Sequence, residues 1–539
     1  MSSEKIQRRA VLALAERMGI GMLAAAARPW GAWAQGQRKN ALVIGWDISD
    51  SKYMDPGRVT EMSTYMPLRA SYEALVTMPP GDYSQFRPLL ATRWEPAANG
   101  KGLRFHLREG VRFASGNALS ATDVKFTYER VNNLKDQPAQ QFTTNITAVN
   151  VIDPLTVEIL FKDPGIPMLG FIGSPQLAIQ DAMEVMAHGG TSAPDADSTD
   201  KATAWLDQNS AGTGPYRITK WARKDVIELA RNPNYWRGPV AFERVIIRHM
   251  PETSVQQLAI ERGDLDLAFN LNPEQIAAVA KNPDIAIVRK SSLDYMYMTL
   301  TSSAELNPAL AKAEARQAVA CAIDYDGIRD SLLKGAAIRP LNFIPVGMGG
   351  SSEEQMRQFG YHQDLDRAKA LMAKAGFANG FEFELSYGAG DFASVSYGLL
   401  AQKVQSDLAR VGIKVTLKPM DAVNFRTEYV TGKSTSVLTY WTGNMDVSLW
   451  TLPAIERVAN RTHWQVPQSV KDLCHNALRE QDIPKQQAMW LEFQKALAEQ
   501  CNYIVLFQPL FQVAARRTIT DVDLTAIGGV IELGNVRPA

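Results

Sequence analysis

Two hydrophobic periods take turns along this chain. Ala41 to Ile48 is a nearly continuous apolar run, the pattern of a strand covered on both faces. Tyr65 to Val76 carries a helical pattern, and Leu103 to Leu107 alternates apolar with polar as a strand with one face inward. Ser120 followed by Asp123 forms a capping box opening a helix over Ala121–Val131. Asp153-Pro154 turns the chain into a strand at Thr156–Phe161. Residues 188–201 are rich in Gly, Ser, Asp, Thr and Ala, which predicts a surface loop or a disordered excursion.

The second block is more regular. Phe242–Met250 reads as a strand, and Thr253 caps a helix over Ser254–Glu261 that Gly263 ends. Leu265, Leu267 and Phe269 alternate with Asp264, Asp266 and Ala268 as the next strand. Strands follow at Tyr295–Thr301, Phe381–Tyr387, Ile413–Leu417, Val437–Trp441 and Tyr503–Phe507. Between them lie helices over 312–333, 365–375, 396–410, 469–479 and 485–499, with Gly376 and Gly412 just past two of their ends. The alternation predicts α/β architecture with two or more sheets. No internal repeat of solenoid or propeller period is present.

The 539 residues correspond to roughly three or four compact units at about 150 residues each. Lysine plus arginine equals aspartate plus glutamate at 57 each, so there is no positive excess of the kind nucleic-acid binding needs. The N-terminus departs from this balance. Lys5, Arg8 and Arg9 precede an apolar, small-residue run from Met18 to Ala27, and Ala32-Trp33-Ala34 offers a cleavage site. That pattern predicts a signal peptide over residues 1–34 and export by the general secretory or the twin-arginine route. No cysteine lies near residue 34, so the expected product is soluble rather than lipid-anchored. Three cysteines follow, Cys321, Cys474 and Cys501. Cys474–Cys501 is the one pairing worth considering, but unpaired buried thiols are the favoured reading, because spacing alone does not establish bond geometry.

Enzyme signatures are missing. There is no G-x-S-x-G elbow, no H-E-x-x-H, no phosphate-binding glycine loop and no dinucleotide fingerprint. The six histidines are scattered, with no pair at helical ligand spacing, so no metal or cofactor is expected.

The stretch Leu89 to Arg130, LLATRWEPAANGKGLRFHLREGVRFASGNALSATDVKFTYER, resembles the signature of the family 5 extracellular solute-binding proteins, the dipeptide, oligopeptide and nickel binders of ABC importers. Further matches follow in family order: Gly212-Thr213-Gly214-Pro215-Tyr216, Asn232-Pro233-Asn234-Tyr235-Trp236, Gly263–Leu267, Arg316-Gln317-Ala318, Ala322-Ile323-Asp324, Ala368–Gly376 and Leu408–Ile413. The resemblance implies an α/β, two-lobed periplasmic-binding-protein fold of class II type. Lobe I would comprise 35–290, with an extra subdomain inserted at about 70–200, and the return segment 508–539. Lobe II would comprise 291–507. It further implies a periplasmic monomer that is not an enzyme, that captures a peptide or other small polar solute, and that hands it to ABC importer permease subunits. A secreted hydrolase and a ligand-loaded partner of a chemoreceptor or sensor remain open alternatives.

The resemblance also directs attention to Thr439–Asp446. Trp441, Thr442, Gly443, Asn444, Asp446 and nearby Trp450 are its ligand-site candidates in lobe II, with Tyr53 and Tyr65 in lobe I. Dipeptide-binding members carry an Asp where Asn444 stands, and an Arg in the loop matching Gly388–Phe392, where this chain has none. Both ionic anchors of a zwitterionic dipeptide are therefore absent, which predicts a different ligand: a longer peptide held by its backbone, or a polar or sugar-like solute.

Overall fold

A single long strand joins the two halves of this protein. The computed structural model describes residues 40–78, 85–98, 100–164, 168–442, 446–480, 482–525 and 530–539. The expected leader at 1–34 lies outside them. A 12-stranded sheet runs, in order, through Ile413–Met420, Phe381–Gly388, Ser436–Trp441, Tyr295–Leu300, Tyr503–Arg516, Leu267–Ala268, Ala41–Trp46, Arg244–His249, Val226–Arg231 and Tyr216–Ala222. Ile285–Ser291 and Ala337–Ile338 also pair with Tyr503–Arg516. Early residues of that strand bond Tyr295–Leu300, and late ones bond Leu267–Ala268 and Ile285–Ser291. At about 3.3 Å per residue its 14 residues span both halves.

Each half has parallel strands at its centre. Ala41–Trp46 lies parallel to Arg244–His249 and Leu267–Ala268. Phe381–Gly388 lies parallel to Ile413–Met420 and Ser436–Trp441. Strands in the interior of the sheet are covered on both faces, the parallel Ala41–Trp46 and the antiparallel Tyr295–Leu300 alike. All six residues of Ala41–Trp46 and of Tyr295–Leu300 are buried. In the latter, Met296, Met298 and Leu300 enter one core with Leu385, Val404 and Ile413. Tyr295 and Tyr297 enter another on the opposite face, with Phe343, Trp450, Trp490 and Phe493. A third core, around Leu42, Ile44, Leu229, Val245 and Ile247, fills the other half.

A separate four-stranded antiparallel sheet, Ala91–Pro96, Gly102–Leu107, Thr156–Phe161 and Ile146–Asp153 in spatial order, packs on the helix Ala121–Asn133. The expected capping interaction is present, with Asp123 Oδ2 accepting from the Ser120 backbone N–H at 2.9 Å. The same helix carries Arg130, which is fully buried and ion-paired to Asp55 at 2.7 Å and Asp200 at 2.9 Å.

Four expectations are corrected. The helix from Tyr65 stops at Ser71, because the Ser71 carbonyl that would continue it accepts instead from the Gly214 N–H at 3.1 Å. Gly212 and Gly214 are required there: a Cβ would stand 2.1 Å from Ser71 O and 2.5 Å from Ala70 O, respectively. The helix expected over 312–333 breaks after Ala322, where Asp324 turns its carboxylate onto the Gly327 N–H and starts a new turn. The stretch 188–201 is largely at the surface, as one of its two expected readings has it, and is not the disordered excursion of the other. It holds a short helix, Ala196–Thr199, and returns Asp200 to Arg130. The final strand extends to Arg516 rather than ending at Phe507. All three cysteines are free and buried, and burial pushes the Cys474 thiol up to about 11 and that of Cys501 up to about 12.

Candidate ligand cleft

Carboxyl ends of parallel strands are the usual place for a ligand in α/β sheets, because connections diverge there and leave a crevice. In this molecule two such sets of strand ends meet. Phe269, Asn270, Leu271 and Pro273 follow Leu267–Ala268 in one half. Phe392, Ala393 and Ser394 form the tip of the hairpin after Phe381–Gly388 in the other. Between them lies a cavity of about 200 Å³, closed at its base by Asp294 and by Pro509–Gln512, where the chain passes between the halves.

Aromatic rings flank this region. Trp46, at the end of its strand, packs on Phe269 with ring centres 5.5 Å apart. Phe392 stacks on Tyr440 at 5.2 Å and meets Phe507 at 5.9 Å. Tyr440 is 47% exposed although its strand is buried from Ser436 to Thr439. Asn270 Oδ1 accepts from the Asp47 N–H at 2.9 Å and so ties the ends of two adjacent strands together.

The expected site residues fall into two groups. Tyr53 and Tyr65 are half-buried and share a small apolar cluster with Val59, Leu68 and Tyr72. Gln176 Nε2 donates to the Tyr65 hydroxyl at 2.7 Å, and burial raises that hydroxyl above its ordinary range. Trp441, Asp446 and Trp450 gather on the opposite half. The half-buried Trp441 ring lies 5.4 Å from Phe343 and 5.6 Å from the Arg457 guanidinium. Its indole N–H has no hydrogen-bond partner among the described residues. Thr442, next along, is exposed. Gly443 and Asn444 lie outside the described residues.

Asp446 is buried and caps its own chain, with Oδ1 accepting from the Ser448 N–H at 2.9 Å. Burial raises its carboxyl above the ordinary range. Across from it stands Gly170, where a Cβ would come within 2.9 Å of Asp446 Cβ. Asp446 thus meets the segment Leu169–Ile172 of the N-terminal half. Trp450 is fully buried, 5.3 Å from Tyr295, and belongs to the aromatic core of the C-terminal half. The sequence did not single out Asp294, Phe269, Phe392 or Tyr440. Strand alternation was the available signal for Tyr440, since neighbours of Trp441 must face the other way.

A family model described as "Bacterial extracellular solute-binding proteins, family 5 Middle" matches residues 85–459. The probable D,D-dipeptide-binding periplasmic protein DdpA of Escherichia coli K12 is 25% identical over 490 residues, covering 89% of this chain and 91% of its own. Di/tripeptide-binding protein 2 of Pseudomonas aeruginosa is 25% identical over 502 residues, covering 86% and 89%. Among solved structures, HbpA2 from Haemophilus parasuis superposes with a TM-score of 0.80 at 22% identity, over 93% of this chain and 100% of the other. No helix of the described residues is long and apolar enough to cross a membrane. With the motif order, the fold and the family match in agreement, the chain belongs to family 5 of the bacterial extracellular solute-binding proteins.

Proposed function

We propose that this solute-binding protein encloses its ligand between two lobes and presents the closed form to the permease subunits of an ABC importer. Lobe I takes in 35–290 and 508–539, with the inserted subdomain at about 70–200, and lobe II takes in 291–507. One observation carries the reading: residues from both halves and from the connecting strands share a single cavity. A ligand there touches both lobes only when they approach, so its binding energy shifts the population toward closure. Export through the leader at 1–34 brings the protein to the periplasm, where it works as a monomer. Binding supplies the function without bond breaking.

The expected contacts are Trp441, Thr442, Gly443, Asn444 and Asp446 from lobe II and Tyr53 and Tyr65 from lobe I; among the described residues none of these lines that cavity, so they stand as a part of the cleft separate from it. The two relatives named above are peptide binders by name, and peptides are the reference class. A free dipeptide is disfavoured, because Asn444 stands where dipeptide binders carry the amino-pairing Asp and the loop at 388–392 has no Arg to hold a carboxylate. Mass spectrometry of solute released from the purified protein by denaturation tests the assignment, together with X-ray scattering before and after the solute is restored. A contraction on restoring the solute is expected. Tight calorimetric binding of unmodified dipeptides would overturn the ligand assignment, and a radius of gyration indifferent to every bound solute would overturn closure.

A further inference from the structure

The cavity between the two sets of strand ends has a chemical bias of its own. Its lining includes three phenyl rings, Phe269, Phe392 and Phe511, and one carboxylate, Asp294. Among the described residues no lysine, arginine or histidine contributes to it. Asp294 sits in the short link between Ile285–Ser291 and Tyr295–Leu300. The residue is half-buried, and it borders the cavity while protein packs around the rest of it. Its backbone is satisfied locally: the N–H donates to Ser292 Oγ at 3.0 Å, and that hydroxyl donates to the Asp294 carbonyl at 2.9 Å. Its side-chain carboxylate has no hydrogen bond and no ion pair among the described residues. Polar groups withdrawn from water are ordinarily partnered, and a charge withdrawn without a partner is costly.

The charged side chains on the surrounding elements do not supply the partner. Arg289 Nε donates to Gln512 Oε1 at 3.0 Å, and Lys334 pairs with Glu274 at 3.5 Å. Neither these nor Lys290 and Asp391 shift the Asp294 carboxyl, which burial alone pushes up to about 7. A carboxylate and phenyl rings lining one cavity without a basic residue is chemistry that suits a positively charged nitrogen, through charge pairing and cation–ring attraction. The cavity's 200 Å³ equals the share of about seven waters at ~30 Å³ each, enough for a cationic head group but not for a long peptide.

We propose that this cavity is an organic-cation subsite, in which Asp294 pairs with an ammonium, quaternary ammonium or guanidinium group of the solute and Phe269, Phe392 and Phe511 surround that charge. The proposal rests on the solute-binding reading of the cleft and narrows it. With no basic residue in the lining, a carboxylate next to the cationic nitrogen would find no partner, so the subsite selects cations whose charge stands apart from any acid group.

Calorimetry on the full chain, stripped of co-purified solute, tests this with two cations, choline and agmatine, and with 3,3-dimethylbutan-1-ol, the uncharged isostere of choline. At least one cation should bind, and the neutral alcohol should bind at least about tenfold more weakly than choline if choline is that cation. Asp294→Asn should weaken the cation about 10- to 100-fold, the range for a lost hydrogen bond to a charged group, and should leave the alcohol unchanged. Asp391→Asn, on the same hairpin as Phe392 but outside the cavity lining, should keep wild-type affinity. Cation affinity should also rise between pH 5.5 and 8.5 as Asp294 ionises, with no such trend for the alcohol. Failure of both cations to bind, or equal binding by the Asp294→Asn variant, overturns the subsite. X-ray scattering separates that failure from a wider one. Contraction with a neutral or anionic solute would leave the two-lobe reading standing while the cation subsite falls, and no contraction with any solute would remove both.

Discussion

Asp55 is a fully buried carboxylate and Asp294 a half-buried one at the border of a cavity, and the molecule treats them in opposite ways. Asp55 is fully buried, receives two nitrogens of Arg130 at 2.9 and 2.7 Å, and accepts from Thr203 Oγ1 at 2.8 Å and from the Gly57 N–H at 3.1 Å. Arg130 also holds Asp200, whose other contacts include the Thr191 N–H. Burial alone would raise Asp55, but the Arg130 charge and these hydrogen bonds hold it below the ordinary carboxylate range. Asp294 has burial without the partners and rises to about 7. The first arrangement fastens the loop of Asp55, the helix Ala121–Asn133 and the 188–201 stretch to one another. The second leaves a bonding capacity open at the crossing between the halves. A satisfied network reads as architecture; an unsatisfied group facing a cavity reads as a place for a ligand.

The largest effect should come from breaking the satisfied network. Arg130→Met strands two buried carboxylates and should cost about 3–5 kcal/mol of stability, measured by urea denaturation at pH 7. A loss under about 1 kcal/mol would mean the network is not the fastening described. The next effect has the opposite sign. Between about pH 4, where an ordinary carboxyl ionises, and pH 7, folded Asp294 retains a proton that the unfolded chain releases. Stability contributed by this site therefore falls as pH rises through that window and is level above it. Asp294→Asn should remove this pH dependence, stabilising the protein more at pH 8 than at pH 4. Asp55 runs the other way: its stabilisation is present above about pH 4 and is lost as pH falls through its depressed folded value. Parallel pH titrations of the melting temperature in Asp294→Asn and Asp55→Asn variants distinguish these signs.

A smaller effect sharpens the functional side of the contrast. Phe392→Ala removes a cavity wall and the stacking with Tyr440. It should weaken solute binding about tenfold, since aromatic pairs contribute about 0.5–1.5 kcal/mol beyond area burial. Because the hairpin tip is only partly buried, its melting temperature should change less than that of Arg130→Met. The smallest expected effect is none. A reductant should leave the melting temperature unchanged, and a thiol reagent should titrate three cysteines only after unfolding, because all three are free and buried. A reductant-sensitive transition would mean that two of these cysteines are joined in a disulfide.

Much of the fold was legible because it rests on local rules. The capping box at Ser120 and Asp123, and the left-handed glycines Gly263 and Gly376 at helix ends, lie where residue chemistry demands them. Local pattern misled where distant backbone intervened. Nothing in Tyr65–Val76 announces that Gly214, far along the chain, takes the Ser71 carbonyl. Similarly, the polar run 188–201 reads as solvated and mostly is, but only tertiary contact buries its Asp200 against Arg130, 70 positions away.

By itself, then, the sequence determined the alternation of strands and helices, their caps and turns, and the ordered motifs of the family, since each depends on neighbours within a few residues. Tertiary structure decided which charged groups are satisfied. Asp55 and Asp294 are the same residue type, and their difference lies in whether a cation from elsewhere in the chain reaches them. That depends on long-range packing, for which one-dimensional spacing carries no signal.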